Sequence, residues 1–246
     1  MKTTIIIPTY NERENIAQIV PEIFKHAPEV RILVVDDNSP DKTYDVVREM
    51  QKKFPNLSLL LRQQKAGLGK AYIHAFETVL EDGKSDAILM MDADFSHNPE
   101  YVPAMLKLGA EAGVVIGCRY IKGGKIVDWP LSRRLLSRFA NFYAGAILRL
   151  PIHDYTSGFI FMRTEYLRKV NLDNINSRGY AFLMELKSLL WLRGARIAEL
   201  PIVLRDRTRG ASKMSGGVIW EGVGAPWKIR TNYFGGSSAK KARQNK

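Results

Sequence analysis

The sequence predicts an α/β protein built on a doubly wound, mostly parallel sheet. Five short, continuous apolar runs, at 3–7, 31–35, 57–61, 87–91 and 114–117, have the composition of strands buried on both faces. Segments of helical periodicity separate them, at 12–26, 41–53, 68–82 and 99–112. An unbroken β-α-β-α series with right-handed crossovers gives parallel strands with helices on both faces.

Each element has a local reason. The first strand, TTIII, ends at Pro8, and Asn11 stands as a cap residue before the first helix, ERENIAQIV. RILVV stops at Asp36-Asp37, and the second helix leads to the third strand, LSLLL. The glycine-containing turn Lys65–Ala71 opens the third helix, and AILMM runs into Asp92-Ala93-Asp94. Asn98-Pro99 opens the fourth helix, with proline in the tolerated first turn. The second half is less regular. A helix at 133–150 places Leu135, Leu136, Phe139, Phe142, Tyr143 and Ile147 on one face, with Arg133, Arg134, Arg138 and Asn141 on the other. A strand (158–163), a helix (181–193), a strand (197–204), a basic loop (205–213) and a Gly- and Trp-rich helix (216–230) follow. The expected organisation is one α/β domain over 1–215, an amphipathic segment over 216–234, and a basic disordered tail over 235–246.

The 246 residues are 46% hydrophobic and 25% charged, enough apolar material for a real core. The single cysteine, Cys118, excludes a disulfide framework and a thiolate zinc site and suits a reducing compartment. The N-terminal apolar run is too short for a signal peptide. No stretch approaches the roughly 18–20 apolar residues that span a bilayer, so secreted, transmembrane and fibrous classes are set aside. The net charge of +12 favours a polyanionic partner. It is local: residues 119–138 hold six Lys/Arg against Asp128, residues 205–213 hold four against Asp206, and the tail KKARQNK holds four.

Ligands of such sheets sit beyond the carboxyl ends of the strands. There the sequence places Pro8-Thr9-Tyr10-Asn11-Glu12, Asp36-Asp37 and Asp92-Ala93-Asp94. Crowded carboxylates repel, and a divalent cation with ligand hydroxyls or amides relieves that cost. Asp-x-Asp suits Mg²⁺ or Mn²⁺, which take one or two carboxylates plus substrate phosphates. The competing reading is loop aspartates that cap helices. A dinucleotide-binding fold fails, because PTYNE replaces the glycine fingerprint after the first strand. The turn around Gly67 and Gly69 either binds an anion or lets the backbone turn tightly into its helix.

These motifs resemble a known family. IIIPTYNERENI, LVVDDNSPDKT, KAGLGKAYIHAF, MDADFSHNPE, IGCRYIKGGKIVDWPLSRRLLS, YTSGF and RTRGASK are similar to the polyprenol-phosphate (dolichyl-phosphate) mannose synthases, family 2 glycosyltransferases of the GT-A fold. The similarity spans about residues 3–215, and the block around Arg119 to Ser137 with RTRGASK is its most specific part. The resemblance implies that Pro8, Tyr10, Glu12, Val35 and Asp37 hold the nucleotide. It places the metal and diphosphate at Asp92, Ala93 and Asp94, with Asp94 and Ser96 as metal ligands. Arg119, Arg207 and Lys213 match cations around the donor diphosphate, and Arg119, Arg133 and Ser137 the acceptor phosphate; the implied catalytic set is Asp94, Arg119, Arg133, Ser137, Arg207 and Lys213. The implied reaction is inverting transfer of mannose from GDP-mannose to a polyprenyl or dolichyl monophosphate. The sister alternative uses a UDP-sugar.

The chemistry agrees. A departing diphosphate needs a cation and Arg/Lys around it. A phosphate monoester, with a second pKa near ~6, is already a nucleophile at neutral pH, so no strong general base is required. Other residues stay open. The arginines of 133–138 form either a phosphate site or a solvated face, and the aromatic face of that helix packs either on a bilayer or in the core. His97 reads as structural, Cys118 as buried filler, and Glu185 as a structural carboxylate or a sugar contact. Relatives differ in whether membrane helices follow the catalytic domain. This chain carries none, so the enzyme is expected in the cytoplasm, peripheral on the cytoplasmic leaflet, with Trp220 and Trp227 as anchors and room for a separate membrane-embedded partner. Nucleic acid is not an expected partner, because acidic strand ends repel a phosphate backbone and no recognition module is present. A non-catalytic nucleotide-sugar sensor is the remaining alternative.

Overall fold

The computed structural model describes residues 1–175, 177–205 and 216–234, with side chains from 222 onward in the last span. Strands β1 (Thr3–Thr9), β2 (Arg31–Asp36), β3 (Leu57–Leu61) and β4 (Ala87–Met90) alternate with helices α1 (Arg13–His26), α2 (Thr43–Gln51) and α3 (Leu68–Asp82). Helix α4 (Val102–Glu111), entered through a 3₁₀ turn at Pro99–Tyr101, leads to β5 (Val114–Cys118). There follow β6 (Lys125–Ile126), α5 (Leu131–Leu148), β7 (Ile160–Arg163), α6 (Thr164–Leu167) and α7 (Gly179–Leu192). Strands β8 (Ile197–Pro201) and β9 (Val203–Leu204) and helix α8 (Gly216–Ile229) complete the order.

The seven-stranded sheet has the order β3-β2-β1-β4-β7-β5-β8. All its pairings are parallel except those of β7, which runs antiparallel between β4 and β5 and sets Phe161 opposite both Leu89 and Val115. Strand alternation sorts the core into two layers. Ile5, Ile7, Val34 and Leu89 pack with α1 and α4 (Ile16, Ile19, Val102, Met105). Ile6, Leu33, Ile88 and Met90 pack with α3, α5, α7 and α8 (Phe76, Ala144, Phe182, Ala225). Helix α4 lies so close to β7 that a Cβ on Gly109 would sit 2.2 Å from the Phe161 ring.

One local expectation is met and two are revised. Asn98 caps as expected, its side chain accepting from Glu100 N. Asn11 does not cap α1: it adopts φ 58°, its N–H donates to Ser39 Oγ (3.0 Å) and its Oδ1 accepts from Asp41 N (3.3 Å), so Glu12 takes the N-cap position. Asparagine tolerates that left-handed geometry, and here it ties two loops together. The expected strand 197–204 is interrupted at Ile202, whose N–H donates to Cys118 O, so β8 pairs with β5 and β9 with β6.

Helix α5 buries only part of its apolar face. Its C-terminal half is core, with Ala144, Ile147 and Leu148 buried. Its N-terminal half leaves Leu131, Leu135, Phe139 and Phe142 between 59% and 73% exposed. Asn141, expected on the polar side, is buried. Trp227 of α8, also exposed, donates to Tyr143 Oη (3.1 Å), joining both helices in one apolar surface. Among the described residues no helix is long and apolar enough to cross a membrane.

Candidate active site

The carboxyl ends of β1, β2 and β4 open into one cavity of about 1050 Å³. Pro8, Tyr10, Glu12, Asp37, Asp92, Ala93, Asp94, Ser96, Arg119 and Arg133 all line it. The sequence-predicted residues are therefore brought together from five elements. Val35 is wholly buried in the core against the α3 layer. The Ser137 hydroxyl faces the Tyr120 hydroxyl at 2.6 Å. Arg207 and Lys213 lie outside the described residues.

The strand-end carboxylates do not all depend on a ligand. Asp36 is fully buried and accepts from Thr9 Oγ1 (2.7 Å), Ser39 N (2.8 Å) and Ser39 Oγ (2.7 Å). It clasps β1 to the loop after β2, while Asp37 pairs with Arg62 at 2.5 Å on the cavity wall. Charge relief at β2 is thus internal, by hydroxyls, an amide and an arginine. At β4, Asp94 is buried and accepts from Ser96 N (3.1 Å), while Asp92 is 36% exposed at its side chain. His97 is structural: its Nδ1 accepts from Asp92 N (3.0 Å) and its ring stacks on Phe159.

The α3 turn takes the backbone role. Gly67 has φ 95°, and the cavity passes over Gly67 and Gly69 into the helix N-terminus. Lys65 lies 3.8 Å from the Tyr10 ring centroid, an exposed cation beside the end of β1.

Arg119 is held far more firmly than a surface phosphate-binding cation. Its Nε and Nη2 donate to Asp154 Oδ2 (2.7 Å) and Oδ1 (2.6 Å), and Nη2 also donates to Thr156 Oγ1 (2.7 Å). Burial alone would raise the Asp154 carboxyl, but the Arg119 charge and its bonds outweigh burial and hold it below the usual range. Burial opposes the Arg119 charge, and Asp154 more than restores it. Arg133 lies 3.7 Å from the Trp129 ring centroid, so a planar cation lining the cavity is oriented by stacking.

Two buried polar atoms have no hydrogen-bond partner among the described residues and belong to cavity-lining side chains: Tyr72 Oη and Trp129 Nε1. Burial, with Asp92 and Asp94 adding to it, pushes the Tyr72 hydroxyl well above its ordinary pKa, so it stays protonated. A buried unpaired donor costs about 1–3 kcal/mol, and a polar ligand removes that cost. Sequence reasoning missed Tyr72, Trp129, Asp154 and Thr156 as site residues, although the quoted blocks KAGLGKAYIHAF, KIVDWPLSRR and YTSGF contain three of them.

A mostly parallel sheet with acidic strand ends, a helix N-terminus and arginines around one cavity is the architecture of the GT-A glycosyltransferases. The chain belongs to glycosyl transferase family 2, whose family model matches residues 4–170. It is 41% identical over 223 residues to an undecaprenyl-phosphate mannosyltransferase of Micrococcus luteus, covering 91% of each chain. It is 42% identical over 233 residues to a polyprenol monophosphomannose synthase of Mycolicibacterium smegmatis, covering 93% of this chain and 88% of the relative. A dolichol-phosphate mannosyltransferase of Pyrococcus furiosus is 36% identical, over 90% of this chain and 61% of the relative. Among solved structures, glucosyl-3-phosphoglycerate synthase of Mycobacterium tuberculosis, in complex with Mn²⁺, UDP and phosphoglyceric acid, superposes with a TM-score of 0.68 at 16% identity, over 93% of this chain and 78% of that one. The resemblance read from the motifs is borne out by these relatives.

Proposed function

We propose that the protein transfers mannose from GDP-mannose to a polyprenyl or dolichyl monophosphate, with inversion, at the cytoplasmic face of a membrane. One observation carries the reading. The cavity lined by Asp92, Asp94, Arg119 and Arg133 is bordered by α5, whose N-terminal half exposes a row of apolar side chains. A lipid phosphate arriving from a membrane meets that arrangement with its headgroup and its chain correctly separated.

Pro8, Tyr10, Glu12 and Asp37 face the nucleotide, with Val35 shaping the strand beneath them. Asp94 and Asp92 would hold a divalent cation, with Ser96 beside them. Two carboxylates and no third acidic, histidine or cysteine ligand among the described residues fit Mg²⁺ or Mn²⁺, which complete their shell with substrate phosphates and water. When bound, such an ion neutralises the diphosphate as it departs. Arg119 and Arg133 draw the acceptor dianion in against the donor's own negative charge. An oxygen of that phosphate then bonds to the anomeric carbon, the bond from that carbon to the diphosphate oxygen breaks, and its electron pair leaves with GDP. Tyr72 Oη is available to a donor hydroxyl or phosphate oxygen, and Trp129 Nε1 to an oxygen near Arg133. Arg207 and Lys213 are assigned to the same phosphates from the sequence.

The test is transfer of labelled sugar into organic-extractable lipid, with polyprenyl phosphate, Mg²⁺ or Mn²⁺, and GDP-mannose or UDP-glucose in parallel. Metal-dependent labelling from GDP-mannose alone is expected, and Asp94→Ala is expected to abolish it while the fold survives. Labelling from UDP-glucose alone would reassign the donor. Near-normal turnover in Asp94→Ala would remove the metal assignment.

A further inference from the structure

Lys187 lies at the middle of α7, a helix buried on every side from Ala181 to Leu190. Its side chain has no exposed surface, and its ammonium donates three hydrogen bonds, to the main-chain carbonyls of Asp154 (2.9 Å), Tyr155 (2.9 Å) and Ser157 (2.8 Å). A buried cation is costly unless it is paired and fully hydrogen-bonded. Three acceptors use all three protons of an ammonium, which an uncharged amine cannot match. All three lie in the segment that enters β7, and that segment is the one carrying the Arg119 partners. Asp154 holds Arg119 from two sides, Thr156 Oγ1 accepts from its Nη2, and Thr156, Ser157 and Gly158 form cavity wall. The remaining polar groups of the segment are also engaged: Glu199 Oε1 accepts from Asp154 N, and Asn141 Oδ1 from Tyr155 N.

We infer that Lys187 is a positioning residue for the transfer reaction: its ammonium fastens residues 154–157 so that Asp154 and Thr156 present Arg119 to the acceptor phosphate. The inference rests on the proposed role of Arg119. Lys187 touches no substrate and acts through the segment it grips. Displacing a positioned group by about 1 Å costs on the order of 10²-fold in rate.

The charged and titratable groups around Lys187 are Asp154 from the segment, Arg119 and Cys118 from the end of β5, and Glu199 from β8. Cys118 is pushed up to about 12 by burial, Arg119 stays charged and Asp154 stays ionised. Burial pulls Lys187 down to about 7, against the opposing fields of Asp154 and Glu199. Loss of its proton removes one of the three bonds, so turnover falls along an alkaline limb.

The experiment compares full-length wild type with Lys187→Met in three measurements: calorimetric binding of GDP with Mn²⁺, steady-state transfer to polyprenyl phosphate, and amide exchange. Expected are GDP affinity within about twofold, kcat lower by about 10²-fold with KM for the sugar nucleotide little changed, and faster exchange at residues 155–157 with β1 and β4 unaffected. Wild-type kcat in folded Lys187→Met, or unchanged exchange at 155–157, overturns the inference. A wild type that transfers from no donor refutes the reading of the reaction, and the exchange measurement still decides the anchor. If Lys187→Met fails to fold, Glu199→Gln replaces it, removing a neighbouring negative charge while keeping an acceptor. The alkaline limb of kcat is then expected to move to lower pH, and a limb that stays in place, or is absent, overturns the inference.

Discussion

Replacing Asp154 by asparagine keeps the shape of the side chain and removes its charge. In the native protein both partners of the Arg119–Asp154 pair are nearly sealed from solvent, at 5% and 0% side-chain exposure, so water cannot take over for the lost carboxylate. The amide would set N–H groups against Arg119 donors, and the buried Lys187 ammonium would lose the negative charge that acts on it most. Breaking a buried pair by removing one partner costs about 3–5 kcal/mol. At about 2–4 °C per kcal/mol for a chain of this size, the melting temperature should fall by about 6–20 °C. Thermal and urea unfolding at neutral pH measure this. Asp82→Asn is the internal control, because the Arg31–Asp82 pair is 30% and 25% exposed and should lose less than about 1 kcal/mol. The double variant Arg119→Met/Asp154→Leu should recover much of the stability, since an apolar pair tolerates burial, yet remain inactive in transfer. A loss below about 1 kcal/mol in Asp154→Asn would refute the argument that this pair is the sealed joint of the site.

Tyr72→Phe removes an unpaired buried hydroxyl, so the ligand-free protein should melt slightly higher, while donor binding weakens by about 2–10-fold, the worth of one hydrogen bond; calorimetry and thermal shift read the two opposite signs. Lys187 sets a pH dependence of stability. Its folded pKa is about 7 against 10.5 when unfolded, so between those values the unfolded chain binds the extra proton. Stability should therefore rise with pH over that window, by up to about 1.4 kcal/mol per pH unit, while turnover falls. Urea titrations at pH 7 and 9 check it. Phe142→Asp, at a site 73% exposed, should leave the fold intact and weaken sedimentation with anionic vesicles by about tenfold or more, the worth of withdrawing one aromatic side chain from lipid.

The parallel half of the fold was legible because its signals are local. Apolar runs such as RILVV and AILMM declare strands buried on both faces, and Asn98-Pro99 declares a helix start. The place of β7 was not legible: the strand itself is visible at 158–163, but its insertion between β4 and β5 is a non-local pairing. The acidic strand ends and the arginines were found by residue type and by resemblance. What escaped were side chains whose meaning depends on distant partners. Lys187, in FLMELKSLLWL, breaks no periodic face, because that helix is apolar all round, and its acceptors lie 30–33 residues earlier. Asp154 follows no strand, so a search of strand carboxyl ends passes over it. Asn141 reads as a polar-face residue and is instead buried.

The excursion from Arg119 to Phe159 leaves and rejoins the sheet at neighbouring points, where Gly117 N donates to Phe159 O (2.9 Å). The Arg119–Asp154 joint ties off the base of that loop, and α5 with its exposed apolar row lies within it. Mechanically the segment is a closed hoop, not a strap hung from one end. Any pull on α5 is shared between both ends of the hoop at one knot, instead of falling on β5 or β7 alone. Because that knot is also the wall of the cavity, load borne by α5 and the aim of Arg119 are carried by the same few bonds.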